Sequence, residues 1–199
     1  NVSGKRMVGV LALQGDFEKH KIVLENLNVE NTYVKNARDL DEISALIIPG
    51  GESTTISKLI DRYALRQSII EFSKNFSIFG TCAGMIMLSG TKSNTKQSKV
   101  DVLNIMDFSV SRNSWGSQKY SFEQILNFEQ FKINSFNAVF IRAPKVVDIG
   151  SKIENISYFK EEVVMIDDGK HLACSFHPEL DNDNRVHEYF LNKFYYDKK

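Results

Sequence analysis

Apolar residues fall in short unbroken runs through the first half of the chain, and in shorter, turn-separated runs through the second. "MVGVLAL" (7–13) and "ALIIPGG" (45–51) are nearly continuous apolar stretches, the pattern of strands covered on both faces. "NTYVK" (31–35) and "SIFG" (77–80) read as two further strands. Between them the spacing changes to that of helices. Phe17, Ile22, Leu24 and Leu27 mark one over 16–27, "ARDLDEI" (37–43) a short one, and helical spacing fills much of 54–74. "CAGMIMLS" (82–89) predicts a helix that begins at Cys82.

Strands alternating with helices predict parallel βαβ units in an open sheet. Three glycine-bearing turns, at 14–15, 49–51 and 80–84, then open on the carboxyl edge of that sheet, where such folds collect ligands. From 100 to about 175 the pattern predicts antiparallel additions. In "VVMIDDGKHLACSF", Asp168-Gly169 marks a hairpin turn. "DNRVHEYFLNKFYYDKK" starts at an Asp/Asn cap cluster and carries the aromatic spacing of a docked terminal helix. With no repeat and no linker, 1–199 is expected to form a single domain. Residues 1–6 are expected to be flexible or a cloning remnant, and 91–99 a polar surface loop.

Composition changes this picture mainly by exclusion. Lys plus Arg and Asp plus Glu number 25 each, so there is no basic excess to serve a nucleic acid. No apolar run approaches the roughly 18 residues of a membrane span, and the start does not read as a secretory signal. Two cysteines make neither a disulfide framework nor a four-ligand zinc site, and they suit a reducing, cytoplasmic setting. No metal or cofactor is expected. Three Asn-x-Ser sequons, at Asn1, Asn75 and Asn155, are attributed to chance in an Asn- and Ser-rich chain.

The candidate chemistry centres on "FGTCAGMIML" (79–88). Gly80-Thr81-Cys82-Ala83-Gly84 has the small-x-nucleophile-x-small form of a strand-to-helix elbow. There a thiol stands clear of the sheet, a helix N-terminus favours its thiolate, and the Ala83 N–H faces a reacting carbonyl. The competing reading is a buried structural cysteine beside a tight turn. A thiolate nucleophile needs a base with an orienting partner. Among His20, His171, His177 and His187, only His177 has a suggestive setting, "CSFHPEL" (174–180). If 172–177 is a strand, His177 and Glu179 face the same way and form the rest of a Cys-His-Glu triad. Alone, His-Pro-Glu is a weak signal and reads more readily as a surface histidine. In "IPGGESTT" (48–55), Gly51 supplies a second oxyanion donor, while Ser53 or Thr54 caps the following helix. Cys174 and His171 are read as structural, and His187 as lying on the exposed side of the last helix.

Taken in order, "LALQGDFEKH", "LIIPGGESTT", "FGTCAGMIML", "SRNSWGSQKYSFE", "VFIRAP" and "CSFHPEL" resemble the glutaminase subunits of pyridoxal 5′-phosphate synthase, which are class I glutamine amidotransferases. The resemblance spans about 7–195. It implies a flavodoxin-like three-layer αβα sandwich with a mostly parallel sheet. It also implies hydrolysis of L-glutamine to glutamate and ammonia through a thioester on Cys82, with His177 and Glu179 completing the triad. By position, Gly51, Glu52, Ser53, Arg112, Ile141 and Arg142 match glutamine-site residues, arginine suiting the substrate carboxylate and Glu52 its ammonium. Gln14-Gly15 matches a turn associated with activation. The implied partner is a (β/α)₈-barrel synthase subunit that receives the ammonia and builds the cofactor from a pentose phosphate and a triose phosphate. Ser117 stands where relatives often carry a basic residue, and Lys19 where an acidic one is common. Two other functions fit the elbow: a stand-alone Cys-His-Glu hydrolase of γ-glutamyl substrates, and a catalytically silent regulatory subunit.

Overall fold

The structure, a computed structural model, describes residues 6–90, 100–111 and 121–196. Its first half is β1 (Met7–Leu11), α1 (Phe17–Asn26), β2 (Asn31–Val34), β3 (Ile43–Ile48), α2 (Ser53–Arg62), α3 (Arg66–Asn75), β4 (Ser77–Thr81) and α4 (Ala83–Leu88). The second half is β5 (Phe108–Ser111), β6 (Ser121–Phe128), β7 (Ile133–Ile141), β8 (Lys145–Ile149), β9 (Asn155–Phe159), β10 (Glu162–Asp167), β11 (Leu172–Cys174) and α5 (Arg185–Phe194).

Seven strands form the central sheet in the order β2-β1-β3-β4-β11-β10-β9. The first five run parallel, and β10 and β9 add antiparallel at one edge. This is the expected mostly parallel sheet, and its 2-1-3-4-5 parallel core is the doubly wound order in which sites form beyond the strands' carboxyl ends. The unbroken apolar runs follow from burial on both faces. Along β3, Leu46 and Ile48 join a core with α2, α3 and α4, while Ala45 and Ile47 join a second core with α1 and α5. β5 pairs with β8 and β6 with β7, both antiparallel, outside the main sheet. Phe128, Phe136 and Phe140 from the β6–β7 hairpin surround Phe176, with ring centroids 5.3 to 5.8 Å from it.

Three local expectations change. The helical stretch over 54–74 is two helices. Ala64 turns left-handed (φ 54°), its N–H donates to the Asp61 carbonyl, and the Leu65 N–H donates to the Ile60 carbonyl at 2.8 Å. This is the Schellman closure, with Leu65 fully buried as its apolar anchor. Residues 37–42 form a capped 3₁₀ turn in place of an α-helix. The strand expected over 172–177 stops at Cys174, and Pro178, which lacks an N–H, opens a 3₁₀ turn over Pro178–Leu180. Among the described residues, no helix is long and apolar enough to cross a membrane.

Candidate active site

Four strand ends converge on one place. β4 ends at the elbow, where Cys82 adopts φ 53°, ψ −107° as the cap of α4. That conformation is costly for a residue with a Cβ and is held from both sides. The Cys82 N–H donates to the Cys174 carbonyl at 2.8 Å, and a Cβ at Gly84 would lie 2.0 Å from the carbonyl oxygen of Ile48. The small residues of the pentapeptide are thus there for close approach of backbone to backbone. Cys82 is 5% exposed, and its Sγ–H points to the Ile141 carbonyl at 3.6 Å.

β11 leads to His177, the base expected from the sequence. His177, three residues beyond the strand, is fixed by its own N–H to the Val139 carbonyl of β7 at 2.8 Å. Its Nδ1 meets Glu179 Oε1 at 2.5 Å, with both side chains buried. The pairing expected from a strand is therefore achieved by a 3₁₀ turn, which folds Glu179 back under the ring. A Cβ placed on Gly50 would lie 2.4 Å from His177 Cε1 and 3.2 Å from Cys82 Cβ, so the imidazole and the thiol-bearing carbon flank the same glycine. Burial disfavours the imidazolium, but hydrogen bonding and charge from Cys82 and Glu179 outweigh it and raise His177 to about 10. Cys174 is buried and free, its thiol pushed up by burial and by the charges of Glu179 and Cys82, which suits a structural role.

β1 and β3 supply the facing turns. The Gln14 Oε1 accepts from the Glu52 N–H at 2.8 Å, and the Asp16 N–H donates to the Gly50 carbonyl at 3.0 Å. Gln14, Gly15, Gly51 and Glu52 therefore form one interlocked pair of turns opposite the elbow. The cap of α2 is Glu52, in place of Ser53 or Thr54: its carboxylate accepts from the N–H groups of Thr54 and Thr55. Despite slight burial, these bonds and the Thr55 hydroxyl hold its carboxyl below the usual range. Ser53 is buried behind it. Ala83 opens α4, where a first-turn N–H has no intrahelical acceptor. Ile141 ends β7 beside Cys82, and Arg142 follows in a left-handed conformation (φ 46°) at the same corner. Arg112 and Ser117 lie outside the described residues, as does the 91–99 stretch.

Two participants were not singled out from the sequence. Asp16 Oδ2 is 3.5 Å from His177 Nδ1, a second carboxylate on the same ring nitrogen. Gly50 is the floor between Cys82 and His177. His187, expected to be exposed, is 1% exposed and bonded to His20, which is itself fully buried. His171 is also buried, and its Nδ1 accepts the Ile78 N–H at 3.0 Å. Among the described residues, the ligand atoms of Asp16, His177 and Glu179 lie within 4.8 Å of one another. The 2.5 Å hydrogen bond already engages His177 Nδ1 and Glu179 Oε1 with each other.

A sequence profile of the SNO glutamine amidotransferase family matches residues 10–196. The pyridoxal 5′-phosphate synthase subunit PdxT of Thermosipho africanus is 46% identical over 189 residues, covering 93% of this chain and 97% of that protein. Its counterpart from Pelotomaculum thermopropionicum is 44% identical, covering 94% of each. Among solved structures, a glutamine amidotransferase superposes with a TM-score of 0.86 at 41% identity, over 94% of this chain and 97% of the other. PurLQS of Thermotoga maritima, at 17% identity, shares the fold with a TM-score of 0.63, over 94% of this chain and 98% of the matched one.

Proposed function

Since the chain belongs to the SNO glutamine amidotransferase family, we propose that it is the glutaminase subunit of a pyridoxal 5′-phosphate synthase, with Cys82, His177 and Glu179 as its triad. The observation that carries this reading is the buried 2.5 Å contact between His177 and Glu179 beside a nucleophile held at a strained elbow. Cys82 thiolate attacks the side-chain amide carbon of L-glutamine. The N–H groups of Ala83 and Gly51 receive the oxyanion. The imidazolium of His177 protonates the departing ammonia, leaving a γ-glutamyl thioester on Cys82. Neutral His177 then takes a proton from water, hydroxide attacks the thioester, and glutamate leaves as the thiolate is regenerated.

Arg142 and Ile141 at one corner, Arg112, and the Gly51-Glu52-Ser53 turn at the other bind the amino-acid end of the substrate. Arginine matches its carboxylate. Glu52, ionised and capping α2, presents negative charge toward the ammonium. The ammonia is consumed by a synthase subunit docked over this edge, and Gln14-Gly15 is the turn through which docking reaches the oxyanion donors. No metal or cofactor takes part in these steps.

The test is release of glutamate and ammonia from L-glutamine, with and without the matching synthase subunit, for the native protein and Cys82→Ala. Activity that rises with the partner and vanishes in Cys82→Ala is expected. Full activity in Cys82→Ala overturns the mechanism, and strong activity without a partner replaces the proposal with an independent γ-glutamyl hydrolase. Inactivity in every mixture leaves a silent regulatory subunit.

A further inference from the structure

Behind the triad, two buried histidines from opposite ends of the chain complete a line of side chains. His20 Nδ1, on α1, lies 2.9 Å from His187 Nε2, on α5. His20 Nε2 lies 3.4 Å from Glu179 Oε2 and 3.3 Å from Thr81 Oγ1. The line therefore runs His187–His20–Glu179–His177–Cys82. Neither outer histidine reaches the thiol, and neither is used by the steps above.

The protons in this line follow by elimination. His20 Nε2 faces two oxygens, Glu179 Oε2 at 3.4 Å and the Thr81 hydroxyl at 3.3 Å, and a proton on this nitrogen serves both. A neutral His20 then has a bare Nδ1, which needs a donor, so His187 Nε2 carries a proton. His187 Nδ1 is left as a lone pair. Among the described residues, that nitrogen and Glu179 Oε2 are the two buried side-chain polar atoms lacking a hydrogen bond. The first is the atom that the elimination leaves bare. The second is the oxygen that His20 Nε2 approaches to 3.4 Å without a hydrogen bond. An unpaired acceptor also costs less than an unpaired N–H would.

We propose that His20 and His187 are positioning residues that direct one fixed N–H at Glu179, holding its carboxylate in the orientation that keeps His177 aligned with Cys82. Other groups on this line are accounted for. Cys82 faces it from the β4–α4 junction, Asp16 from the loop after β1, and Cys174 from β11, where burial keeps the thiol protonated. Burial and the neighbouring rings hold His20 well below its usual value, and burial takes His187 to about 3, so the pair is neutral at working pH. Phe79 packs edge-on against the His187 ring, 5.6 Å between centroids, and seals that end from water.

The inference rests on the glutaminase reading for its kinetic arm, and its spectroscopic arm is independent of it. Nitrogen-15 NMR of the full chain, bound to its synthase subunit and free, is expected to show both outer histidines neutral at pH 7, each with its proton on Nε2. In the complex, His20→Phe is expected to lower kcat about 10- to 100-fold, the usual effect of losing a group that orients a ligand or base, with KM little changed. It is also expected to lower the pH at which His177 titrates, because Glu179 is less firmly placed. His20→Gln, which keeps an N–H at the Nε2 position, is expected to recover most of both, and His187→Phe to give a milder version of the same loss. A proton on Nδ1 of either ring, or a cationic outer histidine at pH 7, overturns the assignment. So does a folded His20→Phe protein, with native melting temperature, whose kcat and His177 titration are both unchanged. If the complex proves inactive on glutamine, the tautomers and the His177 titration still decide the question.

Discussion

Replacing Glu179 by Gln keeps the shape of the side chain and its acceptor for His177 Nδ1–H, but removes the negative charge 2.5 Å from the ring. An opposite charge at such range in a buried site moves a titration by about 1 to 3 units, and His177 stands at about 10 because Cys82 and Glu179 together overcome its burial. A share of about two units for Glu179 corresponds to roughly 2.7 kcal/mol of lost imidazolium stabilisation. That is on the order of 100-fold in any step that needs the cation. The measurement is an NMR titration of His177 in native and Glu179→Gln protein, paired with kcat against pH in the presence of the synthase subunit. The expected result is a His177 midpoint lowered by one to three units, with the basic limb of kcat moving alongside it. The sign extends to stability. His177 is raised on folding, so its contribution is complete below the ordinary value of about 6.5 and is lost as pH rises through about 10. The stability gap between the two proteins should therefore narrow across that window. Asp16, farther away at 3.5 Å and about a third exposed, should shift the midpoint by less when changed to Asn. A His177 titration that stays in place in Glu179→Gln, or moves more in Asp16→Asn, refutes Glu179 as the charge that holds the base.

Three further outcomes follow from the packing. Phe176→Ala removes a fully buried ring stacked on Phe128 one residue from the base, and chemical denaturation should show a loss of about 3 to 5 kcal/mol. Ala64→Gly relieves the left-handed closure between α2 and α3; after the entropy of the freer unfolded chain is subtracted, a gain of about 0.5 to 1 kcal/mol is expected in the same assay. Gly84→Ala drives a methyl to 2.0 Å from a backbone oxygen. It should lower the melting temperature and the rate at which Cys82 reacts with iodoacetamide, whereas unchanged alkylation would show that the elbow tolerates a Cβ there.

The parallel strands were legible because each is covered on both faces, which leaves an apolar run that a half-exposed strand lacks. The elbow was legible because its close approaches demand glycine at Gly84. The break between α2 and α3 was hidden because the left-handed position is held by Ala64, where a glycine would have announced it. The histidines were misjudged for a different reason. His187 precedes Phe190, Leu191 and Phe194 at helical spacing, and His20 precedes Val23 and Leu24 in the same way, so both occupy the buried stripe of their helices. Read by charge they look like surface residues, and read by position they look like core. Asp16 and Gly50 carry no such pattern, since their role arises only when the ends of β1, β3 and β11 meet.

The site is built on two unequal supports. Cys82 and His177 hang from β4 and β11, adjacent strands within the seven-stranded sheet and joined by the Cys82–Cys174 backbone bond. The opposing turns are joined by the Gln14 side chain, whose target N–H sits at an exposed corner, and by the Asp16–Gly50 backbone bond. Local opening free energy is therefore low at the turns and close to that of global unfolding at the elbow. On warming, the proposed oxyanion donor at Gly51 should loosen while Ala83, the thiol and the imidazole remain in register. Amide exchange at 50–52 should then run far ahead of exchange at Cys82, and the capacity to hydrolyse glutamine should fade before the protein melts.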